Sequence, residues 1–160
     1  MERVNEIIKN KEFNDRLYDI RKAEKGRVFC LHNMNHFLDV ARIAALICED
    51  ENIRIDRELI YAAALLHDIG RAVQYREGVP HEEASADIAK YILLDCRFTR
   101  SETAVIIDAI AQHGNEEVKT QKNLTGVIYR ADKLSRKCFS CSAINECHKS
   151  IDKKNMWVFY

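Results

Sequence analysis

The sequence has little of what marks a multidomain, exported or membrane-spanning chain. It contains one proline and five glycines in 160 residues and no linker rich in serine and glycine, so a single domain over residues 1–160 is expected. The charged N-terminus lacks the apolar segment of a signal peptide, and a run of about eighteen apolar residues occurs nowhere. These absences predict a cytoplasmic protein with no membrane partner.

An excess of charge of either sign is also absent. The 25 Lys and Arg residues balance the 25 Asp and Glu residues, so no overall field attracts nucleic acid, and a nucleic-acid partner is not expected. Six cysteines would indicate disulfides in a secreted chain. Without an export signal, reduced thiols or metal ligands are the better interpretation.

No stretch shows the alternation of apolar and polar residues that predicts a half-buried strand, whereas helical periodicity occurs throughout. The fold predicted is all-α, a compact bundle of about six to seven helices. Loops at residues 75–80 and 115–123 are expected to build the specificity pocket. The helices are expected at residues 4–25 (as one or two), 31–50, 56–68, 81–92, 99–113 and 124–138.

A histidine and an aspartate stand together where an apolar helical run ends. Residues 62–66 are alanine and leucine, and His67 and Asp68 follow directly. Burying two ionisable side chains there costs several kcal/mol unless a metal or a partner compensates. The pair therefore indicates a metal site.

Further ligand-type residues fall on the inward faces or at the ends of other predicted helices. Each one alone is more often a satisfied core group than a ligand, but a set of six suits two metal ions. The two oxygens of Asp68 could bridge ions about 3.5 to 4 Å apart. The set is His36, His67, Asp68, His81, His113 and Asp132.

Three segments carry these residues in a recognisable context: HFLDVAR at residues 36–42, LLHDIGR at 65–71 and YRADK at 129–133. Together they resemble the motifs of the HD-domain metal-dependent phosphohydrolases over about residues 30–137, which leaves a cysteine-rich tail at 138–160. His81 and His113 are similar to the two additional histidines of family members with a binuclear centre.

The resemblance implies a ligand assignment and a reaction. One metal would be held by His36, His67, Asp68 and Asp132, and a second by Asp68, His81 and His113. Imidazole and carboxylate ligands favour iron, manganese or zinc. Metal-activated water would then cleave a phosphate ester or anhydride of a nucleotide or small phosphorylated metabolite, with Asp68 as the bridging catalytic residue. Two alternatives stay open: a di-iron oxygenase of the same family, and a regulatory module without turnover.

A phosphorylated substrate also needs cationic side chains. Arg71 follows the His-Asp pair, Lys133 adjoins Asp132, and Arg136 lies one helical turn further on. For each of them the alternative is a solvated surface charge. His32, one turn before His36, could contact substrate or carry a proton, or it could simply start its helix.

The C-terminal segment combines thiols with an apolar end. Cys138, Cys141, Cys147 and His148 have a spacing that could hold a structural zinc ion, and Cys30 could add a further thiolate; reduced thiols without metal are the alternative. The final residues 157–160, WVFY, are expected to pack on the domain or on a second subunit, which makes a homodimer one of the expectations.

Overall fold

The computed structural model describes all 160 residues, and it contains helices and turns but no strand. The all-α prediction is confirmed. The helices are α1 (Glu2–Lys9), α2 (Lys11–Ala23), α3 (Met34–Asp50), α4 (Arg57–Leu66), α5 (Arg71–Glu77), α6 (His81–Asp95), α7 (Arg100–Gln112) and α8 (Leu124–Leu134), with 3₁₀ turns at Glu116–Thr120, Cys138–Ser140 and Ile151–Lys153.

The helix starts follow the capping residues of the sequence. The side chain of Asn10 accepts the Phe13 N–H and separates α1 from α2, which gives the two-helix version of the prediction for residues 4–25. Asp56 caps α4, and Thr99 with Glu102 forms the expected capping box at α7. Local side-chain acceptors thus decide where these helices begin.

Several predicted boundaries are wrong by a few residues. Helix α3 begins at Met34, because the side chain of Asn33 accepts the His36 N–H there. Helix α4 ends at Leu66, so His67 and Asp68 lie in the turn that follows it. Helix α8 ends at Leu134, short of the predicted 138.

Helix α5 was not predicted, and it is the reason for eight helices instead of six to seven. Seven residues from Arg71 are helical, and Gly78, with φ of +76°, ends the helix in the left-handed conformation. The expected loop before Pro80 is therefore short, at residues 78–80.

The core lies between α3, α4, α7 and α8, with α6 packed on α7 and the short α5 against α6. Large side chains such as Phe37, Leu65 and Ile110 are fully buried. The C-terminal segment (residues 135–160) lies outside this core, and only Ser135, Cys138 and Ala143 are buried in it. None of the helices combines the length and the apolar composition that a membrane span requires.

The apolar C-terminal end is largely exposed in this single chain. Trp157 is 74% exposed and Phe159 is 63% exposed. Packing on the domain accounts for little of their surface, and packing on a second subunit stays a prediction.

Candidate metal centre

The His-Asp pair is fixed by burial of the helix before it and by a close approach after it. His67 is 0% exposed and Asp68 is 1% exposed. A Cβ at Gly70 would lie 2.5 Å from the backbone nitrogen of Ser85, so a glycine is needed for this turn to reach α6. The Gly70 N–H donates to Ser85 Oγ at 2.9 Å. The turn is thereby held beside the first residues of α6.

One ligand group joins this turn to α3 and α8. Nε2 of His36 lies 3.2 Å from Nε2 of His67, 3.5 Å from Oδ2 of Asp68 and 3.6 Å from Oδ1 of Asp132. The ligand atoms of these four residues all lie within 4.8 Å of one another. Such spacing fits ligands around one ion.

A second group joins the same turn to α6 and α7. Nε2 of His81 and Nε2 of His113 are 3.1 Å apart, and they lie 3.3 Å and 3.5 Å from Oδ1 of Asp68. Asp68 therefore presents Oδ2 to the first group and Oδ1 to the second. We call these six residues the helix-held cluster: His36, His67, Asp68, His81, His113 and Asp132.

Backbone carbonyls set the orientation of two of the rings. Nδ1 of His67 donates to Ala64 O at 2.7 Å, and Nδ1 of His113 donates to Ile110 O at 2.6 Å. Because a carbonyl only accepts, Nδ1 of each ring carries a proton, and Nε2 is the nitrogen available to a metal. Both Nε2 atoms face oxygens of Asp68. A cation placed there would be bound by nitrogen and oxygen together, so this geometry fits a metal.

The two carboxylates are ionised at neutral pH. Burial by itself opposes ionisation, but the charges of His67 and Arg71 outweigh it and hold the pKa of Asp68 well below its usual range. For Asp132 the opposing burial is outweighed chiefly by Lys133, and its pKa is also lowered. Both residues can therefore serve as anionic ligands.

The histidine at the start of α6 is neutral. Burial lowers the pKa of His81 to about 3, although the charge of Asp68 acts in the opposite direction. A metal-binding imidazole must be unprotonated, and this ring already is at neutral pH. The protonation states and the nitrogen and oxygen donors therefore fit a borderline divalent metal ion.

The three predicted phosphate-binding side chains lie at the cluster and are not free surface charges. Arg71 Nε donates to Oδ1 of Asp68 at 2.8 Å. Lys133 Nζ donates to Oδ2 of Asp132 at 2.6 Å, and Arg136 donates to the same oxygen at 3.3 Å. All three side chains are partly buried and paired with a carboxylate of the cluster, and phosphate binding by them stays a prediction.

His32 does not start a helix, because α3 begins after it. Its backbone N–H donates to Oε2 of Glu24 at 2.9 Å, its Nδ1 bonds to Oε1 of the same residue, and its Nε2 lies 3.7 Å from Oδ2 of Asp68. The hydroxyl of Tyr75 also donates to Glu24, at 2.8 Å. His32 is therefore a buried neighbour of the cluster.

Glu24 is a site residue that sequence reasoning missed. Burial opposes its ionisation, but its bonds and charge interaction with His32 outweigh this and lower the pKa of Glu24. Burial and the Glu24 carboxylate raise the pKa of Tyr75 to about 12. No sequence pattern indicates Glu24, because it follows α2 and lies outside the three motifs.

A cavity of about 1080 Å³ opens on the cluster, and cationic side chains outnumber anionic ones in its lining. The lining includes Arg71, Lys133 and Arg136, and also Lys149 of the C-terminal segment. Burial, followed by the charges of Arg136 and Lys133, lowers the pKa of Lys149. Lys149 was also missed by sequence reasoning, since its position depends on how the segment folds back.

The predicted thiol site is not closed. The structure brings three or more ligand-type atoms within 4.8 Å of one another only in the two groups described above, so Cys138, Cys141, Cys147 and His148 do not form such a group. All six cysteines are free thiols. The ring of His148 packs edge-on against Phe29, with ring centroids 6.5 Å apart.

Residues 33–137 match the HD domain family, and the chain belongs to that family. The match includes all six residues of the helix-held cluster. It agrees with the resemblance drawn from the three sequence motifs.

Among solved structures, the chain is similar to a predicted HD superfamily hydrolase from an uncultured Thermotogales bacterium. The identity is 27% and the TM-score 0.61, with 89% of this chain and 81% of the other covered. The two proteins share the HD fold.

Two relatives differ in how much of their length the chain covers. An uncharacterized protein of Clostridium beijerinckii is 44% identical over the full length of both chains. Ribonuclease Y of Desulforudis audaxviator is 33% identical over 103 residues, which are 64% of this chain and 18% of the ribonuclease. The chain thus spans about a fifth of ribonuclease Y.

Proposed function

We propose that this protein is a metal-dependent phosphohydrolase that cleaves a phosphate ester or anhydride of a nucleotide or small phosphorylated metabolite. The observation that carries the proposal is Asp68, whose two oxygens face two separate ligand groups. A carboxylate with this placement is suited to bridge two divalent ions. Bound there, such ions supply a water of lowered pKa and offset negative charge on the substrate.

In this proposal each group of side chains has a role. His36, His67 and Asp132 would hold one metal ion together with Oδ2 of Asp68, and His81 and His113 would hold a second together with Oδ1. The ring orientations of His67 and His113 are preset by backbone carbonyls, so little reorganisation is needed when an ion enters. Iron, manganese and zinc are the candidates that these donors favour.

The cavity wall supports a phosphorylated substrate. Arg71, Lys133 and Arg136 are placed to bind phosphate oxygens at the cluster, while each also keeps a carboxylate contact. Lys149 has no carboxylate partner and is crowded by other cations, an arrangement that a substrate anion would relieve. An anion with more than one phosphate, such as a nucleoside di- or triphosphate, suits a wall that extends from Arg71 to Lys149.

His32 is placed to hold a proton beside the cluster. Its Nδ1 bonds to Glu24, which fixes the ring, while Nε2 faces Asp68. In the proposed reaction it would keep the Oδ2 side of Asp68 oriented and exchange a proton near the attacking water.

The test is a substrate panel on protein loaded with manganese, iron or zinc. It includes p-nitrophenyl phosphate, nucleoside mono-, di- and triphosphates, dinucleoside polyphosphates and, because of the similarity to ribonuclease Y, short RNA. We expect phosphate or nucleotide release from at least one small substrate and none with Asp68→Ala. Protein that binds two ions per chain and hydrolyses nothing would contradict the proposal.

Two other results would change the proposed substrate or reaction. Cleavage of RNA alone would replace the small substrate by a nucleic acid. Oxygen consumption by the ferrous protein, without hydrolysis, would support the di-iron oxygenase alternative instead.

A further inference from the structure

Four of the six cysteines line one cavity, which also reaches His36 and Asp132 of the helix-held cluster. Cys30 precedes α3, whereas Cys138, Cys141 and Cys147 belong to the C-terminal segment. All four line a cavity of about 560 Å³. The other two cysteines, Cys48 and Cys96, are in the hydrophobic core. Chain folding has therefore separated these four thiols from the two thiols of the core.

The backbone of the C-terminal segment makes this convergence possible. The Cys141 N–H donates to Cys138 O at 3.2 Å, the Ile144 N–H to Cys141 O at 3.3 Å, and the Cys147 N–H to Ile144 O at 3.4 Å. Three successive turns, each closed by a bond between residues i and i+3, thus coil the segment. As a result Cys138, Cys141, Ile144 and Cys147 all face the same cavity.

The hydrophobic core does not hold this segment. Beyond α8, Cys138 and Ala143 are its only buried apolar residues, and a polar bond from Asn155 Nδ2 to Leu134 O ties it to the end of that helix. Short segments that cannot bury enough apolar surface are commonly fixed by disulfides or by a structural metal. No disulfide is present.

The thiols lie close enough to affect one another. Burial raises the pKa of Cys30; Arg136 opposes this, and Cys138 and Cys141 raise the pKa further. Cys30 is therefore close to Cys138 and Cys141 in the folded chain, although it precedes α3 and they follow α8.

We propose that Cys30, Cys138, Cys141 and Cys147 bind one structural zinc ion that fastens the C-terminal segment to the start of α3. Four thiolates complete a tetrahedral structural site. His148 is left out of the set, because its ring packs against Phe29. No three of these sulfurs are yet within 4.8 Å of one another, so the side chains turn toward a common point when the ion binds.

The zinc site would also shape the cavity at the helix-held cluster. Lys149 comes two residues after Cys147, and it lines both the thiol cavity and the larger cationic cavity. Holding Cys147 therefore holds Lys149 in the wall of the cavity that Arg71 also lines. This structural role is independent of the reaction proposed for the cluster.

The test is X-ray absorption at the zinc edge on full-length protein, because the helix-held cluster offers only nitrogen and oxygen donors. We expect a sulfur shell at about 2.3 Å in the wild type. We expect Cys138→Ser to lose that shell and about one zinc ion per chain, and the core variant Cys96→Ser to keep both. A wild-type zinc spectrum without sulfur ligands would overturn the proposal, as would an iron–sulfur absorption spectrum or a disulfide among the four.

A second measurement does not depend on how well the variants fold. Alkylation of the wild type, followed by mass spectrometry, should show Cys30, Cys141 and Cys147 protected when the protein is saturated with zinc and reactive after chelation. Cys48 and Cys96 are the internal reference, since they are buried in either case. Equal reactivity with and without zinc would contradict the site.

Discussion

The helix-held cluster and the C-terminal segment both carry metal-ligand side chains beside one cavity, but they differ in what holds those side chains. The ligands of the cluster sit at the ends or on the inner faces of helices that share a hydrophobic core. The thiols of the segment sit on turns with little buried surface. In the first case tertiary packing sets the ligand spacing before any ion binds.

This difference has a consequence for the order of events. Within each group of the cluster the ligand atoms already lie within 4.8 Å of one another, and two of its rings are held by backbone carbonyls. The four thiols converge on one cavity without closing around a point. We therefore expect an ion that binds at the cluster to enter a site that is already arranged. A zinc ion that binds the four thiols should instead order the C-terminal segment as it binds.

Replacing the bridging carboxylate should have the largest effect. Asp68→Ala removes a ligand of both groups, so we expect metal binding at the cluster to be lost and activity to fall by more than about 100-fold, since even indirect partners of metal ligands contribute about 10- to 100-fold. Metal content and hydrolysis are measured together. The exposed Asp87→Ala on α6 is the control and should keep both. Full activity in Asp68→Ala would contradict the bridging role proposed for this residue.

Replacing a ligand of the second group should remove one ion only. His81→Ala leaves the four ligands of the first group intact, so manganese binding should fall from two ions per chain to one. Manganese is chosen because it does not favour thiolates. Mass spectrometry under native conditions counts the ions, and His148→Ala is the control. If the His81→Ala variant still bound two ions, the second group would need another ligand.

The close approach at Gly70 should make the cluster sensitive to one added methyl group. Gly70→Ala places a Cβ against the backbone of α6, and overpacking of this kind costs about 1 to 3 kcal/mol of unfolding free energy. The unfolding free energy measured with denaturant should decline. Metal affinity should decline with it, because α6 carries the ligand His81. Gly26→Ala, at a φ of +85°, is the control: it should cost about 1 kcal/mol without affecting the metals. Unchanged metal affinity in Gly70→Ala would show that the packing of this turn against α6 does not control metal binding.

The contribution of the C-terminal segment to substrate binding should be modest. Lys149→Gln removes one phosphate contact at the cavity wall, so KM for a nucleoside triphosphate should rise about 2- to 10-fold, corresponding to a net bond of about 0.5 to 1.5 kcal/mol. The effect on kcat should be small. Lys122→Gln, exposed and outside the cavity, is the control. Equal KM values for both variants would place the substrate elsewhere.

The smallest effect is expected at the exposed end of the segment. Trp157→Ala should change the unfolding free energy of the monomeric chain by less than about 0.5 kcal/mol, because the side chain is 74% exposed. The fully buried Phe37→Ala should cost about 3 to 5 kcal/mol in the same denaturation experiment. A large loss in Trp157→Ala that depended on protein concentration would reveal the second subunit expected from the sequence.

Much of the fold and of the cluster could be predicted from the sequence because the responsible forces are local. Apolar periodicity predicted most of the helices, and the side chains of Asp56 and Thr99 predicted where α4 and α7 begin. Helix α5 was missed because its seven residues are too few for a clear periodic pattern. The ends of α4 and α8 were misplaced because tertiary packing, not a terminating residue, decides where they stop.

By itself the sequence determined the helical class, the family motifs and the chemical types of the six cluster residues, since residue type and periodicity suffice for these. Tertiary structure alone decided that one oxygen of Asp68 faces each group and that Glu24 holds His32. It also decided that the C-terminal segment folds back beside Cys30 and brings Lys149 to the cavity. These relations join residues far apart in the chain. Their distances follow from how the helices pack, and no local pattern encodes that packing.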